Sequence, residues 1–166
     1  MVDSAEQGWP EDGMRLILTK AILADNGFSH WHPSGRTGIV SLSSFAEPIG
    51  IPLTAFIAYE ILLYGLYNRS SRYDHERLMH SETKGCLFDL CPEKRDIEIK
   101  LQNLHVCPDC RRLLPSMDLE AENIEVVADV IRTMARNDEP DGSSKFLSVV
   151  TGYATRYAEL LRVRPK

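Results

Sequence analysis

The apolar residues of this 166-residue chain recur with different spacings in different segments. In residues 12–26 they recur at helical intervals, which predicts a helix that ends at Gly27. The short stretch GIVSLSSF at 38–45 alternates along its length, which predicts a strand. Residues 52–68 are apolar on nearly every side, so they are predicted to form a helix in the middle of the core.

The second half of the chain is predicted to be mostly helical. Pro92 opens a short helix through Leu104, and residues 118–136 and 143–163 form two amphipathic helices joined by the loop NDEPDG at 137–142. The apolar stripe of the first amphipathic helix consists of Ile124, Val127, Ala128, Ile131 and Met134. That of the second consists of Phe146, Leu147, Val150, Tyr153, Ala154, Tyr157 and Leu161. The predicted fold class is α+β and mostly helical, with a central buried helix and a C-terminal helical pair.

Composition sets the expected domain organisation. With 43% apolar and 26% charged residues, the chain has the make-up of an ordinary folded protein and enough length for one core. We expect a flexible tail at residues 1–10, followed by a single domain over 11–166. Its core would occupy residues 11–115, and the helical pair residues 118–163.

Hydropathy and charge narrow the classes of partner. No stretch approaches the roughly 18 to 20 uninterrupted apolar residues that cross a bilayer, and the start, MVDSAEQGWPEDG, is acidic and polar where a signal peptide is basic and then apolar. We therefore expect a cytoplasmic protein without a membrane partner. The net charge of −5 gives no reason to expect sequence-blind attraction to nucleic acid.

All four cysteines of the chain lie within residues 85–110. Cys107 and Cys110 form a C-x-x-C turn, a spacing that lets two sulfurs bind one tetrahedral zinc at about 2.3 Å. Cys86 and Cys91 are separated by four residues, and the 15 residues between Cys91 and Cys107 suffice for a helix that returns the chain. Clustered thiols in a reducing compartment favour a metal over disulfides. Residues 80–110, here called the zinc knuckle, include these cysteines and His80 and are thus predicted to hold one structural Zn²⁺.

The sequence leaves two ligand sets open. Cys91 could complete a four-cysteine set, because its place before Pro92 would put its sulfur near a helix N-terminus, where the dipole favours the thiolate. His80 lies six residues before Cys86 and could instead complete a set of one histidine and three cysteines, which zinc accepts equally well. Either set fills all four positions, so no water would reach the ion, and the site would support folding and not hydrolysis.

The other histidines do not form a catalytic zinc motif. HERLMH at 75–80 is superficially similar to H-E-x-x-H, but His75 and His80 are five residues apart and would point about 140° apart on a regular helix. His30 and His32 fall in HWHP, where Pro33 indicates a loop, and a structural role is expected for both.

A strand at GIVSLSSF, a helix centred on AYEILLYGL, a C-x4-C and a later C-x-x-C follow one another in residues 38–110. This order resembles the archaemetzincins, zinc peptidases with the motif H-E-x-x-H-x-x-G-x-x-x-C-x4-C-x-M followed, after 17 residues, by C-x-x-C. The resemblance implies a structural zinc on Cys86, Cys91, Cys107 and Cys110. This chain departs from the pattern in lacking the methionine and in having a final gap of 15 residues.

The helix of this resemblance lacks the catalytic ligands. YEILL at 59–63 matches H-E-x-x-H only in Glu60, which the resemblance places where the family has its general base. It therefore implies a scaffold that kept its structural zinc and lost its catalytic one. As an ordinary residue, Glu60 is a carboxylate on an apolar helix and needs a partner, such as a tyrosine or Arg72.

Three functions follow from these observations. The favoured one is a zinc-binding, non-catalytic protein that binds a protein partner or a second copy of itself through the C-terminal helices. The second is an active zinc hydrolase with ligands such as His75, His80 and His105. The third is a zinc-ribbon nucleic-acid binder with Arg111 and Arg112 on phosphate, against which the acidic composition argues. Enzymatic activity thus stays an open question at this point.

Overall fold

The structure is a computed structural model that describes residues 15–23, 27–32, 37–43 and 50–136. The chain divides into two compact units, Met1–Ser43 and Ser44–Lys166. The tail predicted at 1–10 and the second C-terminal helix predicted at 143–163 lie outside the described residues. The single domain expected over 11–166 stays a prediction.

In the first unit, the described residues form a three-stranded sheet. Its strands are β1 (Arg15–Thr19), β2 (Ser29–Trp31) and β3 (Thr37–Ser41), in the order β1-β3-β2. β3 pairs in parallel with β1, with Arg15 opposite Thr37, and antiparallel with β2, with Trp31 opposite Gly38. The strand predicted near 38–45 is therefore confirmed as the central strand of the sheet.

The helix predicted over residues 12–26 is wrong where the structure describes that segment. Arg15–Thr19 is extended, with the sequence RLILT. An apolar run this short does not distinguish a helical turn from a strand, and pairing with β3 along the whole of β1 decides in favour of the strand. The hydroxyl of Thr19 then accepts a hydrogen bond from the backbone N–H of Ala21 at 3.1 Å, where the strand ends.

The loop predicted around HWHP is also partly wrong. His30 lies on β2, opposite Ile39 of β3, and His32 follows the strand. The N–H of His32 donates to the carbonyl of Thr37 at 2.8 Å. Pairing with the neighbouring strand β3 overrides the local turn signal here.

The second unit is built around α1 (Leu53–Arg69), which confirms the core helix predicted over 52–68. Pro52 precedes the helix with extended backbone, the geometry that a proline at a helix start favours. The buried residues lie on most sides of α1: Ala55, Phe56, Tyr59, Glu60, Leu62, Leu63, Tyr64, Gly65 and Leu66. Burial all round identifies α1 as the centre of this unit's core.

The long amphipathic helix α5 (Ala121–Arg136) covers one side of α1. It packs against both α1 and α3 (Asp96–Gln102). α5 confirms the helix predicted over 118–136. Of its predicted apolar stripe, Ile124, Ala128 and Ile131 are buried. α5 thus places its apolar face inside the unit.

The remaining elements of this unit are short. α2 (His75–Leu78) follows α1, and α4 (Pro108–Leu113) runs into a 3₁₀ turn at Leu114–Met117. The helix predicted from Pro92 to Leu104 is confirmed only as α3, which starts at Asp96. The carboxylate of Asp96 accepts from the N–H of Glu93 at 3.3 Å, and the N–H of Asp96 donates to the carbonyl of Glu93 at 2.9 Å. This tight turn delays the start of the helix.

The described residues therefore form a mixed α+β fold that is mostly helical, as predicted. Within this described part, every helix falls short of the length and apolar character needed to cross a membrane.

Candidate metal centre

Four predicted ligand residues come together in the second unit: His80, Cys86, Cys107 and Cys110. One ligand atom from each lies within 4.8 Å of all the others. The His80 Nε2 atom is 3.0 Å from the Cys110 sulfur and 3.2 Å from that of Cys107, while the sulfurs of Cys86 and Cys110 are 3.9 Å apart. The last distance is close to the roughly 3.8 Å between two sulfurs on a tetrahedral zinc with 2.3 Å bonds.

Long-range backbone hydrogen bonds position His80 and Cys86. Just after α2, the N–H of His80 donates to the carbonyl of Phe88 at 3.1 Å, and its carbonyl accepts from Leu90 at 2.7 Å. On either side of Cys86, the carbonyl of Gly85 accepts from the N–H of His105 at 3.0 Å, and Leu87 donates to the carbonyl of His105 at 2.8 Å. These short bridges join residues that the sequence separates by 8 to about 20 positions.

The C-x-x-C turn opens a helix. Cys107 is the N-cap of α4, Pro108 follows at the first helical position, and the Cys107 sulfur accepts from the N–H of Cys110 at 3.5 Å. A helix start favours a negatively charged sulfur, since its free N–H groups point at the cap. The turn is tied to α5, because the carboxylate of Glu125 accepts from the N–H of Val106 at 3.0 Å.

The pKa values of the Cys86 and Cys110 thiols shift in opposite directions. A hydrogen bond with Cys110 lowers the pKa of Cys86, which favours its thiolate form. That same hydrogen bond, together with burial, raises the pKa of Cys110 well above its ordinary value. Cys110 is fully buried and Cys86 is 2% exposed. A buried thiolate held against a thiol is the arrangement in which a divalent cation can replace the shared proton.

Sequence reasoning missed one residue beside the site, Asp89. It is 5% exposed, and its Oδ2 atom accepts hydrogen bonds from three successive backbone N–H groups. The three donors are Lys84 at 2.6 Å, Gly85 at 2.7 Å and Cys86 at 2.8 Å. In KGCLFD, Asp89 follows Gly85 by four residues and Cys86 by three, and short aspartate side chains commonly accept hydrogen bonds from backbone groups that near in the chain.

Cys91 lies outside the group of ligand atoms. It is half-buried next to Lys100 and Thr83, and burial raises the pKa of its thiol despite the nearby lysine. The expectation that a helix dipole would favour its thiolate is wrong, because α3 begins five residues later at Asp96. Of the two ligand sets left open by the sequence, the geometry assembles the one with His80.

The remaining candidate histidines are not brought to the cluster. His75 begins α2, and its Nδ1 atom is 3.0 Å from the hydroxyl of Tyr73. α2 ends at Leu78, so His75 and His80 do not share a helix. The Nδ1 atom of His105 donates to the carbonyl of Asn103 at 2.9 Å. Within the part of the chain that the structure describes, these side chains form no second group that could hold a metal.

A buried polar cluster lies on the α1 side of the knuckle. Glu60 and Lys100 are 2% and 3% exposed, and the ammonium of Lys100 lies 4.7 Å from the ring centre of Tyr59. Burial lowers the pKa of Lys100, while the negative charges around it, Glu60 among them, oppose that shift. Arg72, which was considered as a partner for Glu60, pairs with Asp118 at 3.4 Å on the exposed surface.

The two arginines after the C-x-x-C turn are engaged with carboxylates. Arg111 contacts Glu122 at 2.9 Å and Glu125 at 3.3 Å, and Arg112 pairs with Asp109. These ion pairs neutralise the cationic group on which phosphate recognition was considered, so the geometry gives that reading no support.

A cavity of about 450 Å³ opens beside the ligand cluster. His80, Cys86 and Cys107 line it together with Glu82 and His105. The half-exposed side of the cluster, at His80 and Cys107, thus faces a polar cavity, whereas Cys110 faces the core.

No protein-family model, curated protein or solved structure matches the chain. The resemblance to archaemetzincins therefore stays a prediction that depends on the order of the strand, the helix and the cysteines.

Proposed function

We propose that the protein binds one structural Zn²⁺ through His80, Cys86, Cys107 and Cys110 and has no catalytic activity. The observation that carries this proposal is the convergence of one imidazole nitrogen and three sulfurs within 4.8 Å. The four residues come from three separate stretches of the chain, so their meeting is a property of the fold and not of local spacing.

The chemistry of the donor set supports zinc as the metal. Thiolates are soft ligands that select zinc and copper(I) over magnesium or calcium, and one histidine with three cysteines is a common set for structural zinc. Four protein donors fill a tetrahedral ion. A filled shell leaves no position for a water or a substrate, which supports a role in folding.

A reducing, cytoplasmic setting belongs to the same proposal. All four cysteines are free thiols in the structure, although three of their sulfurs lie close together. Zinc binding by thiolates needs them reduced, whereas an oxidising compartment would favour disulfides.

We also propose that the scaffold is a degenerate relative of the archaemetzincins. The support is the order of parts: a strand, a buried helix that carries Glu60, and then the cysteine site. In this chain His80 would take the place that the resemblance gives to Cys91. Without histidines on α1, Glu60 has no bound water to activate, so no peptidase activity is expected.

Protein–protein interaction is the proposed role of this scaffold. α5 buries three residues of its apolar stripe, Ile124, Ala128 and Ile131, in its own unit, so we favour the other predicted C-terminal helix for the contact. The amphipathic segment at 143–163, outside the described residues, is our candidate for contacting a protein partner or a second copy. Light scattering of the full chain should report a complex or dimer, and Leu147→Glu should dissociate it; a monomer unaffected by that substitution would refute this part.

Metal analysis of the purified protein tests the central proposal. We expect one zinc per chain, bound tightly enough to survive dialysis, and loss of zinc in the His80→Gln and Cys107→Ser variants. A peptidase assay with and without chelator tests the absence of catalysis. Two zinc ions per chain with chelator-sensitive cleavage would support a hydrolase, and absence of zinc would refute the proposal.

A further inference from the structure

The loop that carries Cys86 is shaped by one carboxylate. The Oδ2 atom of Asp89 accepts from the N–H groups of Lys84, Gly85 and Cys86, and the N–H of Asp89 donates to the carbonyl of Cys86 at 3.1 Å. Bonds to an ionised acceptor are stronger than those between neutral groups, and three that converge fix the direction of each peptide. A shift of this carboxylate would shift the Cys86 backbone and with it the sulfur.

The backbone of the same loop tolerates little change. Gly85 has a φ of 99°, in the left-handed region that favours glycine. A Cβ atom added there would lie 2.6 Å from the Cβ and 2.7 Å from the carbonyl oxygen of Asn103. The glycine and the carboxylate therefore specify one loop shape between them.

The main chain of Asp89 is anchored in the core. The buried ammonium of Lys100 donates to the backbone carbonyl of Asp89 at 2.6 Å and to the hydroxyl of Tyr59 at 2.5 Å. Burying an ammonium is unfavourable unless hydrogen bonds and charges compensate. Here that buried cation joins α3 and α1 to the residue that shapes the loop.

We propose that Asp89 is a positioning residue of the metal site and that Lys100 holds Asp89 in place. This inference rests on the proposed zinc binding. Asp89 is not a ligand, because its Oδ2 atom is occupied by backbone N–H groups and its carboxylate lies outside the group of ligand atoms. Its effect on the ion is transmitted by the placement of Cys86.

Zinc affinity of full-length variants, measured by competition with a chromophoric chelator, tests the inference. Removing partners that orient metal ligands costs about 10- to 100-fold in affinity, and we expect a loss in this range for Asp89→Asn and a smaller one for Lys100→Met. Glu82→Gln is the matched control, since it removes the same charge from the same cavity. Its affinity should equal that of the wild type, because Glu82 is exposed and pairs only with Lys84 among the ion pairs described.

Cobalt(II) substitution supplies a readout that loss of stability alone would not change. The thiolate-to-cobalt absorption of folded Asp89→Asn should differ from that of the wild type, and that of Glu82→Gln should not. If Asp89→Asn binds zinc as tightly as Glu82→Gln with an unchanged cobalt spectrum, the inference fails while the zinc site stands. If only Lys100→Met is unchanged, the anchoring role of Lys100 fails. A wild type that binds no zinc refutes the proposed function instead.

If Asp89→Asn does not fold at saturating zinc, Gly85→Ala tests instead whether the shape of this loop sets the zinc affinity. This variant keeps the carboxylate and Lys100 but forces the loop away from Asn103. We expect weaker zinc binding in the folded protein, and an unchanged affinity would overturn the inference.

Discussion

Helix α1 and the zinc knuckle are both buried parts of the same unit, yet they are held in place differently. α1 (Leu53–Arg69) satisfies its backbone by local hydrogen bonds and buries nine residues, so its stability is spread over many contacts. The knuckle has two isolated bridges, at His80 with Asp89 and at Cys86 with His105, and its four ligand residues. The comparison indicates that the helix can form from apolar burial, whereas the loops of the knuckle would, under the proposed zinc binding, need the ion to hold the four ligand residues together.

The chain entropy of the two regions explains this difference. Each residue of α1 is ordered next to one that is already ordered, as in any propagating helix. The knuckle must bring together residues up to 30 positions apart, from His80 to Cys110, and its buried apolar residues, such as Leu87, Phe88 and Leu104, offset that ordering only in part because they hold loops and not a continuous helix. A metal ion that joined four points of the segment would add the free energy that fixes these loops.

The largest expected effect is that of zinc removal. Structural zinc sites contribute about 10 kcal/mol or more of apparent binding free energy at neutral pH, so chelation or Cys110→Ser should lower the free energy of unfolding by several kcal/mol. Hydrogen–deuterium exchange should show protection lost first in residues 78–91 and 104–113 and retained longest in α1. Added zinc should restore protection in the wild type. Equal loss in α1 and the knuckle would remove the distinction between them.

A large-to-small substitution in α1 should lower the free energy of unfolding without releasing the zinc. Phe56 is fully buried, and Phe56→Ala should lower the free energy of unfolding by about 3–5 kcal/mol through the cavity it leaves. Denaturant unfolding at saturating zinc measures the change, and metal analysis should still give one zinc per folded chain.

Ile61→Ala is the control on the same helix. Ile61 is 38% exposed, and its truncation should cost about 1 kcal/mol or less. A folded Phe56→Ala protein that had lost its zinc would show that the knuckle depends on α1 more directly than we infer.

The same contrast decides what the sequence could predict. α1 was predicted to within one residue at each end, because apolar character on all sides of a long segment has few alternatives. α5 was equally clear from its stripe. The spacing predicted part of the cysteine cluster: the C-x-x-C pair Cys107 and Cys110 has a metal-binding spacing and lies in the group of ligand atoms, whereas the C-x4-C spacing also pointed to Cys91, which lies outside it.

Where the prediction failed or stayed open, the missing information was long-range. Apolar residues at helical intervals in 12–26 predict a helix at the position of β1, because spacing along one segment does not show that β3 pairs with it. Cys91 and His80 could not be ranked, because the bridge that brings His80 to the loop before Asp89 is not visible in local spacing. The burial of Lys100 on α3 likewise depends on tertiary packing, which the local sequence does not show.

Cys91→Ser should change the free energy of unfolding much less than zinc removal or Phe56→Ala. The Cys91 thiol lies outside the ligand group, so its loss should leave one zinc per chain and change the free energy of unfolding by about 1 kcal/mol or less. His80→Gln is the matched partner, and its zinc affinity should fall by more than the roughly 10- to 100-fold typical of residues that only orient a ligand. Competition with a chelator measures both. Loss of zinc in Cys91→Ser alone would restore the four-cysteine set.

The smallest expected effect is the titration of His75, at the junction between α1 and the knuckle. Burial, and next the charge of Lys100, lower the pKa of His75 below the ordinary value of 6.5. Below pH 6.5 the unfolded chain then binds more protons at this position than the folded one. The stability linked to neutral His75 is complete above that pH and is lost as the pH falls through the folded-state pKa.

NMR titration of the His75 ring in the zinc-loaded protein should give this lowered pKa directly, without interference from acid release of the metal. His75→Gln should flatten the dependence of stability on pH just below 6.5 and leave the steeper loss that accompanies zinc release at lower pH. The two regions respond to acid through different groups, so the variant should separate them. The segment at His75 should lose its titration, and the knuckle should keep its own. An unshifted His75 pKa, or a variant that changes zinc release as well, would mean that the junction and the metal site titrate as one unit.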